Sequence, residues 1–146
     1  MRNLKDISHN NVSFKIYEFE CASEELTKQL GISPTEVRVK GETRLVGKSN
    51  QSRIINKENI WILKSDLPLA ARVEDHIANI LNKMSSHEEQ FIKVTNKFYT
   101  EFSCGLYFYE TNPGIHLDNN LLKKLALLNT RIDLDMYCMG EAEDKK

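Results

Sequence analysis

A chain of 146 residues with 40% hydrophobic and 28% charged residues has the size and balance of one globular domain with a real core. Its formal charge is −1, and the basic residues are scattered apart from a mild excess between Arg38 and Lys57. That excludes the electrostatic footprint of a duplex nucleic-acid binder, and no stretch approaches the roughly 20 apolar residues of a membrane span.

Val12, Phe14 and Ile16 alternate with Ser13, Lys15 and Tyr17, which predicts a half-buried strand. Ser23 is placed to cap a short helix, with Glu24 and Glu25 favourably in its first turn. Leu26 and Leu30 lie one helical turn apart, and Gly31 followed by Pro34 ends the helix. Glu36–Lys40 alternates as a second strand, and Asn59–Lys64 reads as a third. Between them Gly41–Glu58 is the longest polar connection, of the kind that often carries function.

Leu67-Pro68 leads into the longest helix, whose stripe is Val73, Ile77, Ile80, Leu81 and Met84. Ser85-Ser86 interrupts it, and Ser86 with Glu89 fits a capping box for a further segment through Val94. Lys97–Tyr109 is a long strand with Phe98, Thr100, Phe102, Cys104, Leu106 and Phe108 on one side. Gly105 within it implies a bulge or a close backbone approach. Asn112-Pro113-Gly114 turns the chain, and Asp118 caps a helix with stripe Leu121, Leu122, Leu125 and Leu128, ending at Asn129. Ile132, Leu134, Met136 and Cys138 are expected as the buried face of a last strand, opposite Arg131, Asp133, Asp135 and Tyr137.

The order β-α-β-β-α-β-α-β predicts an α+β fold. Its first six elements form a ferredoxin-like β-α-β-β-α-β core, extended by a C-terminal helix and strand through a right-handed crossover. The helices cover one face of the sheet. Residues 1–140 are expected to form a single domain and 141–146 a disordered charged tail. The N-terminus lacks the apolar core of a signal peptide, and the three cysteines have no CxxC spacing. Both point to a reducing cytoplasm with thiols used as small core hydrophobes.

Several motifs fail on physical grounds. Gly41-Glu-Thr-Arg-Leu-Val-Gly47-Lys48-Ser49 has five residues between its glycines where a P-loop has four, and no helical stripe follows the lysine. A flexible β-hairpin loop is the reading of that segment. His87-Glu-Glu-Gln-Phe91 is not HExxH, because Phe91 stands where the second histidine would. No GxSxG elbow, GxGxxG loop or Cys–His nucleophile pair is present. His76, beside Ile77 and Ile80, is expected at a helix–sheet boundary. His116 follows a Pro-Gly turn and precedes a helix, where turn and capping bonds are its expected use.

What remains is the polar sheet face. Lys15, Tyr17, Glu101, Tyr107, Tyr109, Asp133, Asp135 and Tyr137 fall on it by alternation. Three carboxylates on neighbouring strands can bind a hard cation, and two can divide acid and base roles. They can equally pair with Lys15, Arg131 or Arg38 on a solvated sheet. Tyrosines on such a face favour contact with a protein, since Tyr is enriched in interfaces. Homodimerisation through the face is a further outlet.

The chain resembles the bacterial family catalogued as domain of unknown function 4279. The resemblance is carried by Phe14-Lys-Ile-Tyr-Glu-Phe19, Leu30-Gly-Ile-Ser-Pro-Thr35 and Lys40-Gly41, then by Trp61 with Ser65 and by Glu74-Asp-His76. Glu101-Phe-Ser-Cys-Gly-Leu-Tyr107, Pro113-Gly-Ile-His-Leu117 and Asp133-Leu-Asp-Met-Tyr137 complete it. It implies a small stand-alone bacterial protein and brings no catalytic residues with it. Similar small α+β domains serve as cytoplasmic immunity proteins that block a toxin.

The expected function is therefore that of a binding protein, immunity-like and not an enzyme, with an unidentified protein partner. It uses Tyr17, Glu101, Tyr107, Tyr109, His116, Asp133 and Asp135, together with the Gly41–Glu58 loop. No cofactor, metal, nucleic acid or membrane is expected. The alternatives are a small-ligand or metal-dependent enzyme using Glu101, Asp133, Asp135 and His116, and a structural homodimer.

Overall fold

The computed structural model describes residues 8–47 and 49–140. The alternating opening segment is β1 (His9–Tyr17), followed by α1 (Ser23–Leu30) and the short β2 (Glu36–Arg38). The long polar connection is a hairpin of β3 (Thr43–Val46) and β4 (Ser52–Ile55), before β5 (Ile60–Lys64). Next come α2 (Val73–Met84), a 3₁₀ turn at Ser85–His87 and α3 (Glu88–Lys97). The chain then forms β6 (Tyr99–Phe108), α4 (Asn119–Leu128) and β7 (Arg131–Cys138).

Five strands make one sheet in the order β2-β5-β1-β6-β7. The β2–β5, β5–β1 and β1–β6 pairs are all antiparallel. This is the ferredoxin-like arrangement, in which each β-α-β crossover skips one strand. β7 adds to the free side of β6 in parallel, as a strand returned by a helix must. The β3–β4 hairpin is a separate two-stranded sheet inserted between β2 and β5. No helix follows Gly47 until α2, so the P-loop resemblance of that segment ends in a hairpin.

The even-numbered residues of β1 set the core. Val12, Phe14 and Ile16 join Trp61, Leu63, Phe102, Cys104 and Leu106 under the apolar stripes of the helices. Phe14 lies at the centre, its ring 5.9 Å from that of Phe91 and 5.4 Å from that of Phe102. Burying a ring of this kind contributes on the order of 2–3 kcal/mol.

Local signals place most helix ends. Asp118 Oδ1 accepts the Leu121 amide at 2.8 Å, and Asn129 closes α4 in the left-handed region at φ 54°. Others differ from expectation. Ala22, not Ser23, caps α1, because its carbonyl accepts from Glu25 and Leu26 and draws Ser23 into the first turn. The Ser86–Glu89 box does not form, because Ser86 is taken up by the 3₁₀ turn and α3 begins at Glu88 with no side-chain cap.

The ladder runs through Gly105 without a bulge, pairing it with Asn11 on one side and Asp135 on the other. The glycine serves close approach instead, since a Cβ there would meet the Tyr107 ring at 3.3 Å.

The inner side of β7 is the largest departure. Ile132 packs on the core, but Leu134 is 41% and Met136 49% exposed, and Cys138 is exposed too. α4 packs mainly on α3 and leaves the outer length of β7 without a covering helix. Leu122 likewise points to solvent from α4. The tail 141–146 lies outside the described residues.

Candidate functional site

With the helices on one side, the odd-numbered residues of β1 and β6 and their neighbours form the other face. The register brings Lys15 between Ile62 and Glu101, and Tyr17 between Ile60 and Tyr99. It then sets Glu101 beside Arg131, Ser103 beside Asp133, Gly105 beside Asp135 and Tyr107 beside Tyr137. Five of the expected site residues, Tyr17, Glu101, Tyr107, Asp133 and Asp135, thus share one continuous surface.

Aromatic pairs mark its two ends. Tyr107 and Tyr137 stack with centroids 4.9 Å apart and planes 14° apart. Tyr17 and Tyr99 meet edge to face at 5.6 Å, and the Arg131 guanidinium lies 4.2 Å over the Tyr99 ring. Tyr99 and Tyr107 stand eight positions apart on β6, a span of about 26 Å at strand rise.

Glu101 is only 9% exposed although it sits on the solvent side of the strand, and its Oε2 accepts from the Ser103 hydroxyl at 2.6 Å. Burial and the Glu101 carboxylate push the Tyr17 phenol above its ordinary range, and Tyr99 moves the same way. Both phenols are therefore protonated donors at neutral pH.

The opposite half of the face is cationic. Glu36 on β2 is shared by Arg38 Nε at 2.9 Å and Lys64 Nζ at 3.1 Å. Although burial acts against it, these two bonds hold the Glu36 carboxyl below its ordinary range. Burial, and then the Arg38 guanidinium, hold the Lys15 ammonium below the usual lysine range, while Glu101 and Glu36 pull it up. A hollow of about 200 Å³ opens between these cations and the Tyr107–Tyr137 stack.

Two expected residues lie elsewhere. Tyr109 is past the end of β6 and half-buried, its carbonyl accepting from Cys138 Sγ at 3.4 Å. His116 stands on the helical layer, lining a hollow of about 190 Å³ with Glu74, Asp75 and Asp118. It does not meet Glu101, Asp133 or Asp135. Among the described residues no group of three or more His, Cys, Asp or Glu side chains is placed to hold a metal ion.

One polar pair escaped the sequence. His76 Nδ1 lies 2.7 Å from Ser65 Oγ, which also accepts the Leu67 amide at 3.1 Å. His76 is 2% exposed and its Nε2 has no partner among the described residues. The bond fastens the end of β5 to the first turns of α2. Both residues are among those that carry the family resemblance, but nothing in the spacing of Ser65 and His76 shows that they meet.

The class defined by this architecture is a ferredoxin-like α+β domain with an added parallel strand and one uncovered polar-aromatic face. Residues 7–139 match the family described as "Domain of unknown function (DUF4279)", and the chain belongs to that family. No curated protein and no solved structure gives a significant match. Among the described residues no helix is long and apolar enough to cross a membrane.

Proposed function

We propose that this protein is a cytoplasmic, non-enzymatic binding protein that engages a protein partner through the uncovered face of its sheet, in the manner of an immunity protein. The observation that carries this reading is the Tyr107–Tyr137 stack, two solvent-exposed rings held parallel by register. Rigid exposed tyrosines offer contact area at low entropic cost. The face beside them is shallow, with polar groups already aimed outward, as suits a partner surface better than an enclosed metabolite.

The test is capture from the native host followed by native mass spectrometry. Tyr107→Ala and Asp135→Ala are each expected to keep the fold, seen by circular dichroism, and to lose the captured partner. Retention of the partner by both variants removes this surface from the reading.

A second reading, a homodimer, is favoured by the edge strand β7. Among the described residues it pairs only with β6, and it exposes Leu134 and Met136 beside an unpaired edge. Sedimentation of the purified protein as a monomer at micromolar concentration excludes it.

A further inference from the structure

The cationic half of the open face contains a notch whose chemistry is more specific than that of the surface around it. Lys15, Arg38 and Lys64 converge on the hollow of about 200 Å³, with Ser13 and Ser103 beneath and Ile62 at the base. Ile62 is 1% exposed although it lies on the side of the sheet away from the helices, because these long side chains cover it. The far wall is the Tyr107–Tyr137 stack with Asp135.

The ion pairs leave one cation over. Arg38 and Lys64 divide the two oxygens of Glu36 between them. Lys15 has no ion-pair partner among the described residues, and Glu101 across the ladder is bonded to Ser103. Asp135, a carboxylate of the lining, stands on the far wall, Glu36 is taken by Arg38 and Lys64, and Lys15 is the cation left without an ion pair. A half-buried ammonium without a direct ion pair is unfavourable, and one carboxylate supplies the missing partner. A phosphate dianion brings two charges to one unpaired ammonium and also faces Glu36, Glu101 and Asp135.

We infer that this notch receives a single carboxylate from the partner of the open face, an Asp or Glu side chain or a chain terminus, against Lys15. The inference rests on the reading of that face as a binding surface. Arg38 and Lys64 act as flanking donors, and Ile62 and the tyrosine rings take the methylene stem. Occupation raises the lysine pKa against the burial and the Arg38 charge that lower it.

The experiment is an NMR titration of the ¹⁵N-labelled protein at constant ionic strength. The probes are N-acetylglutamate α-amide, its neutral counterpart N-acetylglutamine α-amide, and potassium phosphate. The glutamate probe is expected to give saturable shifts on the amides around Lys15, Arg38 and Lys64. The glutamine probe is expected to bind at least about tenfold more weakly, since it lacks the charge-assisted bond. Lys15→Met and Lys64→Ala, with spectra otherwise unchanged, are each expected to lose the saturable shift.

Absence of saturation with glutamate, its survival in Lys15→Met, or tighter binding of phosphate overturns the assignment. The two readings fail separately. Loss of partner capture by Tyr107→Ala with no carboxylate binding leaves the face and removes the notch. Saturation by glutamate with capture intact in Tyr107→Ala and Asp135→Ala leaves the notch and removes the face.

Discussion

His76 Nδ1 and Ser65 Oγ lie 2.7 Å apart at the junction of α2 with the end of β5. Burial holds the imidazole below its ordinary pKa, against the upward pull of Asp75 and the Ala71 carbonyl. The folded state therefore takes up a proton less readily than the unfolded chain. The resulting stability is fully present above the unfolded histidine pKa of about 6.5, and is lost as pH falls below it toward the lower folded value. Thermal melts between about pH 8 and about pH 5 are expected to show a falling Tm, and His76→Gln a lower but flatter profile over the same interval. An equal slope in both proteins would assign the pH dependence to other groups.

Gly31 ends α1 at φ +84°, and a Cβ there would stand 2.7 Å from His87 Nδ1. Gly31→Ala combines a left-handed alanine, costing about 1–2 kcal/mol, with displacement of the His87 ring. The second part separates from the first. Adding His87→Ala to Gly31→Ala is expected to recover the steric component and leave about 1 kcal/mol, read from denaturant midpoints. At Gly41, φ +88° with open space around it, alanine is expected to show the backbone cost alone.

Trp61 Nε1 donates to Thr27 Oγ1 at 3.0 Å, joining β5 to α1 through the core. Thr27→Val keeps the shape but strands a buried donor, at an expected cost of about 1–3 kcal/mol. Trp61 is the only tryptophan, so its fluorescence reports global unfolding without added label. A lower midpoint with an unchanged denaturant slope is the expected result. An unchanged midpoint would mean that the indole donor has another acceptor.

The three thiols are expected to separate by accessibility. Burial, with Asp133 and Glu101 adding to it, pushes the Cys104 thiol up to about 12, while Cys138 is exposed and Cys21 half-buried. Only the thiolate is nucleophilic. Under native conditions a thiol reagent should modify Cys138 first, Cys21 more slowly and Cys104 only on unfolding, as peptide mapping would show. Early modification of Cys104 would contradict its packing beneath the sheet.

The succession of elements and the membership of each strand face were readable because alternation at period two is a local property. So were Asp118, Gly31 and Asn129, whose capping chemistry lies within a turn of the helix they bound. Burial was not readable where it depends on what lies above the strand. Leu134 and Met136 sit on the expected side of β7, but no helix covers them, and Glu101 sits on the solvent side yet is buried among long neighbours. The assembly of the site failed in the same way. His116 belongs to a turn whose path carries it to the helical layer, and the path of a turn leaves no periodic trace. The cationic notch escaped because Arg38, Lys64 and Lys15 come from three strands, two of them separated by the hairpin.

That hairpin also has an effect at distances beyond contact. Residues 38–58 hold six basic and two acidic side chains, a net of +4, so the remainder of a chain of formal charge −1 carries −5. The basic segment sits at the β2–β5 edge of the sheet, while Asp133 and Asp135 lie on β7 at the other edge. The molecule is thus polarised across the width of its open face. On the proposed binding reading, a partner with the complementary pattern would be turned into register before any side chain touches, within the Debye length of about 8 Å at physiological salt. Added salt would then slow encounter and leave the lifetime of such a complex largely unchanged, so the orientation of docking would be written in the rate of arrival rather than in the strength of the hold.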